Sequence, residues 1–95
     1  MMFARAAQEP GELKDPDAIR ACDIACRTNC LGISIDRAGY VKGSENPVSR
    51  SHKTVGMTVT VVVISYDLAS GVYSCWIRID RPRRVERYER AVRFP

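Results

Sequence analysis

"TVGMTVTVVVISYD" (54–67) and "VYSCWIRID" (72–80) are the two stretches that decide the fold. Both are rich in β-branched and aromatic residues, and their apolar side chains recur at every second position, which is the period of a β-strand. "LASG" (68–71) lies between them and has the small residues and the glycine of a tight turn. The sequence therefore predicts an antiparallel hairpin with one apolar face. The second strand contributes to that face Tyr73, Cys75, Ile77 and Ile79.

A helix is predicted ahead of this hairpin, in "DPDAIRACDIACRTNCLG" (15–32). Asp15 can cap it, Pro16 suits the first helical position, and Gly32 can end it in the left-handed conformation. Apolar residues recur there every three or four positions, so that they share one helical face. The members of this face are Ala18, Ile19, Cys22, Cys26 and Cys30.

The other segments of the first half carry weaker signals. Residues 1–14 show no period, and we expect them to form a flexible arm. Residues 33–41 are interpreted as a short hairpin around a turn at 36–39. The polar segment 44–53 contains Pro47 and is interpreted as a loop.

The arginine-rich tail, residues 82–94, fits two periods. As a helix it would place Val85, Tyr88 and Val92 on one side and three arginines on the other. Its glutamates each precede an arginine by four residues, which also favours a helix. A strand is the alternative, because Tyr88 and Val92 also share a face at the period of two.

These segments indicate an α+β fold in one domain, residues 15–95. An N-terminal helix packs on a small antiparallel sheet of about four strands, with a basic C-terminal helix or edge strand. The chain has 95 residues, and its 45% apolar and 27% charged residues are an ordinary globular composition. No apolar run reaches the roughly 20 residues of a membrane helix. The first residues lack the apolar core of a signal peptide, so we expect a cytoplasmic protein with reduced thiols.

The cysteines of the helix have four possible roles, of which a catalytic nucleophile is the least favoured. Zinc sites take close pairs of ligands, but Cys22 and Cys30 are about 12 Å apart along an ideal helix, and Cys75 stands alone in the hairpin. Thiols on consecutive turns of a helix are poorly placed for a disulfide, although a bond from the helix to Cys75 is conceivable. Packing of small apolar side chains between helix and sheet is the favoured interpretation. No metal or cofactor is expected.

Catalytic motifs are not visible in the sequence. It has no glycine-rich phosphate loop, no acidic metal cluster and no serine-hydrolase elbow. His52 is the single histidine and lies in a polar segment, where a solvated side chain is the ordinary state. We therefore expect a protein that is not an enzyme.

The features that point to function are a tryptophan and a run of arginines. Residues 78–93 contain seven arginines against Asp80, Glu86 and Glu89. Arginine suits bidentate contact with carboxylate or phosphate. If the helix covers the face of Cys75, Trp76 faces outward beside Arg78, as on a recognition surface; the alternative is that the C-terminal segment or the first hairpin covers Trp76. The alternative is that these arginines only form a solvated face paired with their own glutamates. The residues predicted to contact a partner are Trp76, Arg78, Arg83, Arg84, Arg87 and Arg90.

Two functions are consistent with this surface. The first is a small non-enzymatic binding protein, of the adaptor or inhibitor type that phages and mobile elements encode, which engages a protein or a nucleoprotein complex. The second is direct nucleic-acid binding, in which the arginines of Arg78–Arg93 contact phosphates. No membrane partner is expected, and an open sheet edge makes a homodimer plausible.

Overall fold

The computed structural model describes residues 11–27 and 34–93, in which the chain forms one helix on a five-stranded mixed sheet. In chain order the elements are β1 (Gly11–Glu12), α1 (Pro16–Arg27), β2 (Ser49–Thr54), β3 (Met57–Asp67), β4 (Val72–Arg81) and β5 (Arg84–Val92). The strand order across the sheet is β1-β5-β4-β3-β2. The pair β1–β5 is parallel, and the other neighbouring strands are antiparallel. The α+β class predicted from the sequence is confirmed.

The β3–β4 hairpin forms as predicted and supplies most of the core. Val61 is opposite Ile77 and Val59 is opposite Ile79 in the register of the two strands, and all four side chains are buried. Branched side chains fit this position because they pack well on a pleated surface that is covered by a helix. The register shifts by one residue between Val63 and Ser65, so the hairpin contains a bulge near its turn.

Helix α1 begins where the sequence predicts. The backbone N–H of Asp17 donates a 3.0 Å hydrogen bond to Asp15 Oδ1, and Pro16 is the first helical residue. Small side chains on the buried face let the helix approach the sheet closely, on the side of β2 and β3. The buried residues of α1 are Ala18, Ala21, Cys22, Ala25 and Cys26. The predicted helix end at Gly32 lies outside the described residues, as does Cys30.

The favoured helical prediction for the tail is wrong, because residues 84–92 form the strand β5. Pairing with β4 gives the backbone a complete antiparallel ladder from Arg84 to Val92. It also buries Val92 and lays the partly buried Tyr88 against the core. Single i,i+4 ion pairs contribute only about 0.2–0.5 kcal/mol each, which does not compete with that pairing.

The sheet has five strands rather than about four, because β1, β2 and β5 join the central hairpin and the segment predicted as a first hairpin adds no strand to it. The loop prediction for residues 44–53 is wrong from Ser49 onward. The predicted hairpin at 33–41 is reduced to single bridges, such as Ile35 to Val41, around a turn in which the backbone N–H of Gly39 donates to the Asp36 carbonyl. The prediction of a flexible arm is wrong at its end, because Gly11–Glu12 form β1 and Leu13 is buried.

No helix among the described residues is long and apolar enough to cross a membrane.

Candidate functional site

One face of the sheet carries α1, and strand alternation places a second set of side chains on the opposite face, which we call the open face. In β4 and β5 the residues that alternate with the buried ones are mostly exposed. The described residues place no helix over them. The open face consists of Ser49, Ser51, Lys53, Thr58, Thr60, Val62, Ser74, Trp76, Arg78, Asp80, Val85, Arg87, Glu89 and Ala91.

Trp76 lies near the middle of the open face and is 55% exposed. Its cross-strand neighbours are Val62 on β3 and Glu89 on β5. The prediction that Trp76 faces away from the helix is therefore confirmed. A large aromatic side chain with half of its surface in water is a common feature of recognition surfaces, because partner binding can desolvate it.

Two guanidinium groups lie beside the tryptophan. Arg78 and Arg87 are directly opposite each other in the β4–β5 register, on the same face of the sheet. Like charges in this arrangement destabilise a sheet unless an anion lies between them. Arg78 forms an ion pair with Asp80, in which Arg78 Nη2 is 3.0 Å from Asp80 Oδ1, and both side chains are exposed. Among the described residues, no carboxylate pairs with Arg87.

A shallow groove lies around the register pair Cys75 and Arg90, at the end of β4 and β5 away from Arg78 and Arg87. Its volume is about 390 Å³, and it is lined by residues from both faces of the sheet: Ile64, Ser74, Cys75, Glu89, Arg90 and Ala91. Ile64 is 40% exposed at the bulge of β3, so the groove has one apolar wall.

The other predicted arginines do not lie on this surface. Arg90 points to the helix side, where its Nη1 is 3.0 Å from Asp23 Oδ1 and 3.5 Å from the Ile19 carbonyl oxygen. Arg84 contacts Glu86, and Arg83 lies in the turn between β4 and β5. The structure therefore brings Trp76, Arg78 and Arg87 together and separates them from Arg83, Arg84 and Arg90.

An ion-pair network joins the start of α1 to the β4–β5 hairpin. Arg81 Nη2 is 3.0 Å from Asp15 Oδ2, and Arg81 Nε is 3.3 Å from Glu86 Oε2. The Tyr88 hydroxyl donates to Glu86 at 3.0 Å. The hydrogen bond from Arg81 lowers the pKa of Asp15, with help from the backbone N–H of Asp17. Burial works to raise the pKa of Glu86, but hydrogen bonds from Tyr88 and Arg81 outweigh it, and the pKa is lowered.

The described cysteines are free thiols in the core. Cys22, Cys26 and Cys75 are at most 2% exposed, so the predicted burial of the cysteine face is confirmed for these residues. The pKa of Cys22 is lowered by a hydrogen bond from Cys26 and then by Arg90, while the same hydrogen bond and burial raise the pKa of Cys26. Burial raises the pKa of Cys75 to about 12. In residues 11–27 and 34–93 we find no cluster of three or more ligands suited to a metal ion.

Comparisons with known proteins found no similar protein. No family model matches the chain, and no curated protein and no solved structure is significantly similar to it.

Sequence reasoning missed four residues of the candidate site: Val62, Ile64, Glu89 and Ala91. Glu89 and Ala91 could have been found from the sequence, because a strand that begins at Arg84 places the odd-numbered residues of the tail on the same face as Trp76. The bulge that exposes Ile64 has no comparable signal in the sequence.

Proposed function

We propose that this chain is a non-enzymatic binding protein that docks a protein partner on its open face. The observation that carries the proposal is the exposed Trp76 on an uncovered sheet face, next to the opposed pair Arg78 and Arg87. Tryptophan and arginine are the residue types most enriched at binding hot spots.

The chemistry of the face defines what the partner must offer. Trp76, with Val62 opposite it on β3, offers an exposed apolar contact for an aliphatic or aromatic side chain. Beside Trp76, a carboxylate placed between Arg78 and Arg87 would relieve the repulsion of the opposed guanidinium groups through charge-assisted hydrogen bonds. The partner surface therefore combines an apolar anchor with an acidic residue.

Direct nucleic-acid binding is the second candidate function. It is favoured by the same tryptophan, since an aromatic ring on a sheet with arginines nearby can stack a base while the arginines contact phosphates. Against it, Arg81 and Arg90 are engaged by Asp15 and Asp23. The open face also carries Asp80 and Glu89, so its excess of positive charge is small.

The test begins with affinity capture from the source organism, with and without nuclease, and continues with the purified partner. Trp76→Ala and Arg87→Glu should each weaken binding by about tenfold or more, since hot-spot truncation costs about 2 kcal/mol. Arg37→Glu is the matched control, because Arg37 is exposed in a turn outside the sheet. Trp76→Ala and Arg87→Glu should both keep the wild-type melting temperature, because the two side chains are exposed.

The two candidates differ in their response to salt. A protein partner gives a shallow dependence of affinity on salt, whereas a nucleic acid gives a log affinity that falls by nearly one unit of slope per phosphate contact. Binding that survives nuclease and has a shallow slope supports the protein partner. Wild-type affinity in both Trp76→Ala and Arg87→Glu would exclude the open face as the contact surface.

A further inference from the structure

Strand β2 forms a long edge of the sheet. It is paired with β3 along one side over Ser49–Thr54, and no described residue pairs with the other side of those six residues. The opposite edge differs, because β1 pairs with β5 at Tyr88 and Glu89. An unpaired edge is a template for another extended chain.

The hydrogen-bond register shows which backbone groups the edge offers. The N–H of Val63 donates to the carbonyl of Val48, which fixes the alternation of bonded and non-bonded pairs along β2 and β3. Arg50, His52 and Thr54 are then the residues whose backbone groups bond to β3. The N–H and C=O groups of Ser49, Ser51 and Lys53 point away from β3 to the free edge.

The charges along β2 indicate which kind of strand can pair with its free edge. Its sequence "SRSHKT" contains two cations and no acidic residue. Lys53 is exposed on the open face, and Arg50 is half-buried on the helix side. Pairing with a second copy of β2 would add two more cations to the ladder and no carboxylate, so it lacks the opposite-charge pairs that stabilise neighbouring strands. Lysine on an edge is also a common protection against self-pairing. An acidic strand has the opposite charge pattern and satisfies the same backbone groups.

We infer that the β2 edge binds an extended acidic peptide segment of a protein partner, which adds as a sixth strand beside Ser49–Lys53. Main-chain hydrogen bonds to the three outward residues provide affinity, and side-chain charge provides selectivity. The side chains of Ser49, Ser51 and Lys53 belong to the open face, but β3 lies between this edge and Trp76, so substitution of Trp76 separates the two contacts.

The probe is a synthetic eight-residue peptide in which glutamate alternates with threonine, blocked at both ends. In amide NMR spectra of the whole protein it should shift the signals of Ser49, Ser51 and Lys53 and slow their hydrogen exchange. The same peptide with lysine in place of glutamate should not bind. A peptide with N-methyl groups on alternate residues of its pairing edge should not bind either, because it keeps the charge but cannot form the ladder.

Substitution of Ser51 tests the edge from the side of the protein. Ser51→Pro removes an outward N–H and leaves the bonds to β3 in place, and we expect about a tenfold loss of peptide affinity. Ser51→Ala is the matched control, since it also loses the 3.0 Å contact with Thr60 Oγ1 but keeps the N–H. Trp76→Ala should bind the peptide like the wild type.

Three results would overturn the inference: no binding of the acidic peptide, equal binding of the N-methylated peptide, or full affinity in Ser51→Pro. A concentration-dependent dimer that Ser51→Pro abolishes would also overturn it, because the edge would then pair with a second copy. If Ser51→Pro does not fold, the N-methylated peptide and the lysine peptide decide the question with the wild-type protein. None of these outcomes bears on the contact proposed for Trp76 and Arg87, which Trp76→Ala and Arg87→Glu test separately.

Discussion

Arg90 Nη1 lies 3.0 Å from Asp23 Oδ1 and so connects the last strand of the sheet to the middle of the helix. Its side chain is only 26% exposed, and it runs over the face of the sheet that also carries Cys75, its neighbour in the β4–β5 register. Arg87, three residues earlier, points to the opposite face. Two arginines of one basic segment thus have different roles, one in packing and one on the surface.

The first prediction compares these two arginines. Arg90→Met should lower the free energy of unfolding by about 1–3 kcal/mol, because Asp23 and the Ile19 carbonyl lose a charged donor. Arg87→Met, the control on the same strand, should change it by no more than about 0.5 kcal/mol. Urea denaturation of both variants measures the difference. Equal stability of the two would show that the Arg90–Asp23 contact does not hold α1 on the sheet.

The second prediction concerns two glycines with positive φ. Gly39 has φ 84° and Gly43 has φ 83°, so alanine is strained at either position. A Cβ at Gly39 would also lie 2.8 Å from both Cγ1 and O of Val63, whereas a Cβ at Gly43 meets nothing within 4 Å.

Gly43→Ala should therefore cost about 1–2 kcal/mol, the ordinary penalty of a left-handed residue. Gly39→Ala should cost about 1–3 kcal/mol more, as expected for overpacking against a strand. Thermal or urea unfolding of both variants checks this. A similar loss in both would mean that the turn at 36–39 can move away from β3.

The third prediction concerns the buried thiols. In the folded protein Cys22, Cys26 and Cys75 should resist a thiol reagent that labels them at once in urea, since they are at most 2% exposed. Peptide mapping after labelling identifies each site. Cys75→Ser should destabilise by about 1–3 kcal/mol, because it buries a hydroxyl in an apolar site.

Cys75→Ala is the control for that substitution, since it removes the sulfur without adding a polar group. If serine costs no more than alanine, the environment of Cys75 is not apolar. Rapid labelling of Cys22 or Cys26 in the native protein would contradict the burial of the helix face.

The fourth prediction is a pH dependence of stability. Arg81 lowers the pKa of Asp15 and contributes to lowering that of Glu86. A carboxylate whose pKa is lowered by folding stabilises the protein above its unfolded value of about 4. That contribution is lost as the pH falls through the lower folded value.

Arg81→Met should therefore be less stable than the wild type at pH 7, and the difference should shrink as the pH is lowered toward 2. Thermal unfolding across this range measures it. Arg83→Met is the control, because Arg83 is exposed in the turn before β5 and forms no ion pair with a described carboxylate, so its effect should not change with pH. A difference between Arg81→Met and the wild type that stays constant with pH would show that Arg81 acts only through packing.

Part of the candidate site was predictable because the β3–β4 hairpin has a strong period. Alternation in "VYSCWIRID" places Trp76 and Arg78 opposite Cys75 and Ile77, whatever covers the other face. Arg87 was predicted only together with other arginines of the tail, and its separation from Arg90 was not predicted. In a helix Arg83, Arg87 and Arg90 would share one side, whereas in a strand Arg87 and Arg90 face opposite ways.

The sequence by itself determined the central hairpin, the capped start of α1 and the apolar face between them, because these segments have both a clear period and suitable end residues. Tertiary structure alone decided the rest. Residues 49–54 are polar and have little strand propensity, and they form β2 because the free edge of β3 supplies hydrogen bonds and α1 covers one side. Residues 84–92 fit two periods, and pairing with β4 selects the strand. That pairing also places Arg90 on the helix side, beside Asp23, and Arg87 on the open face.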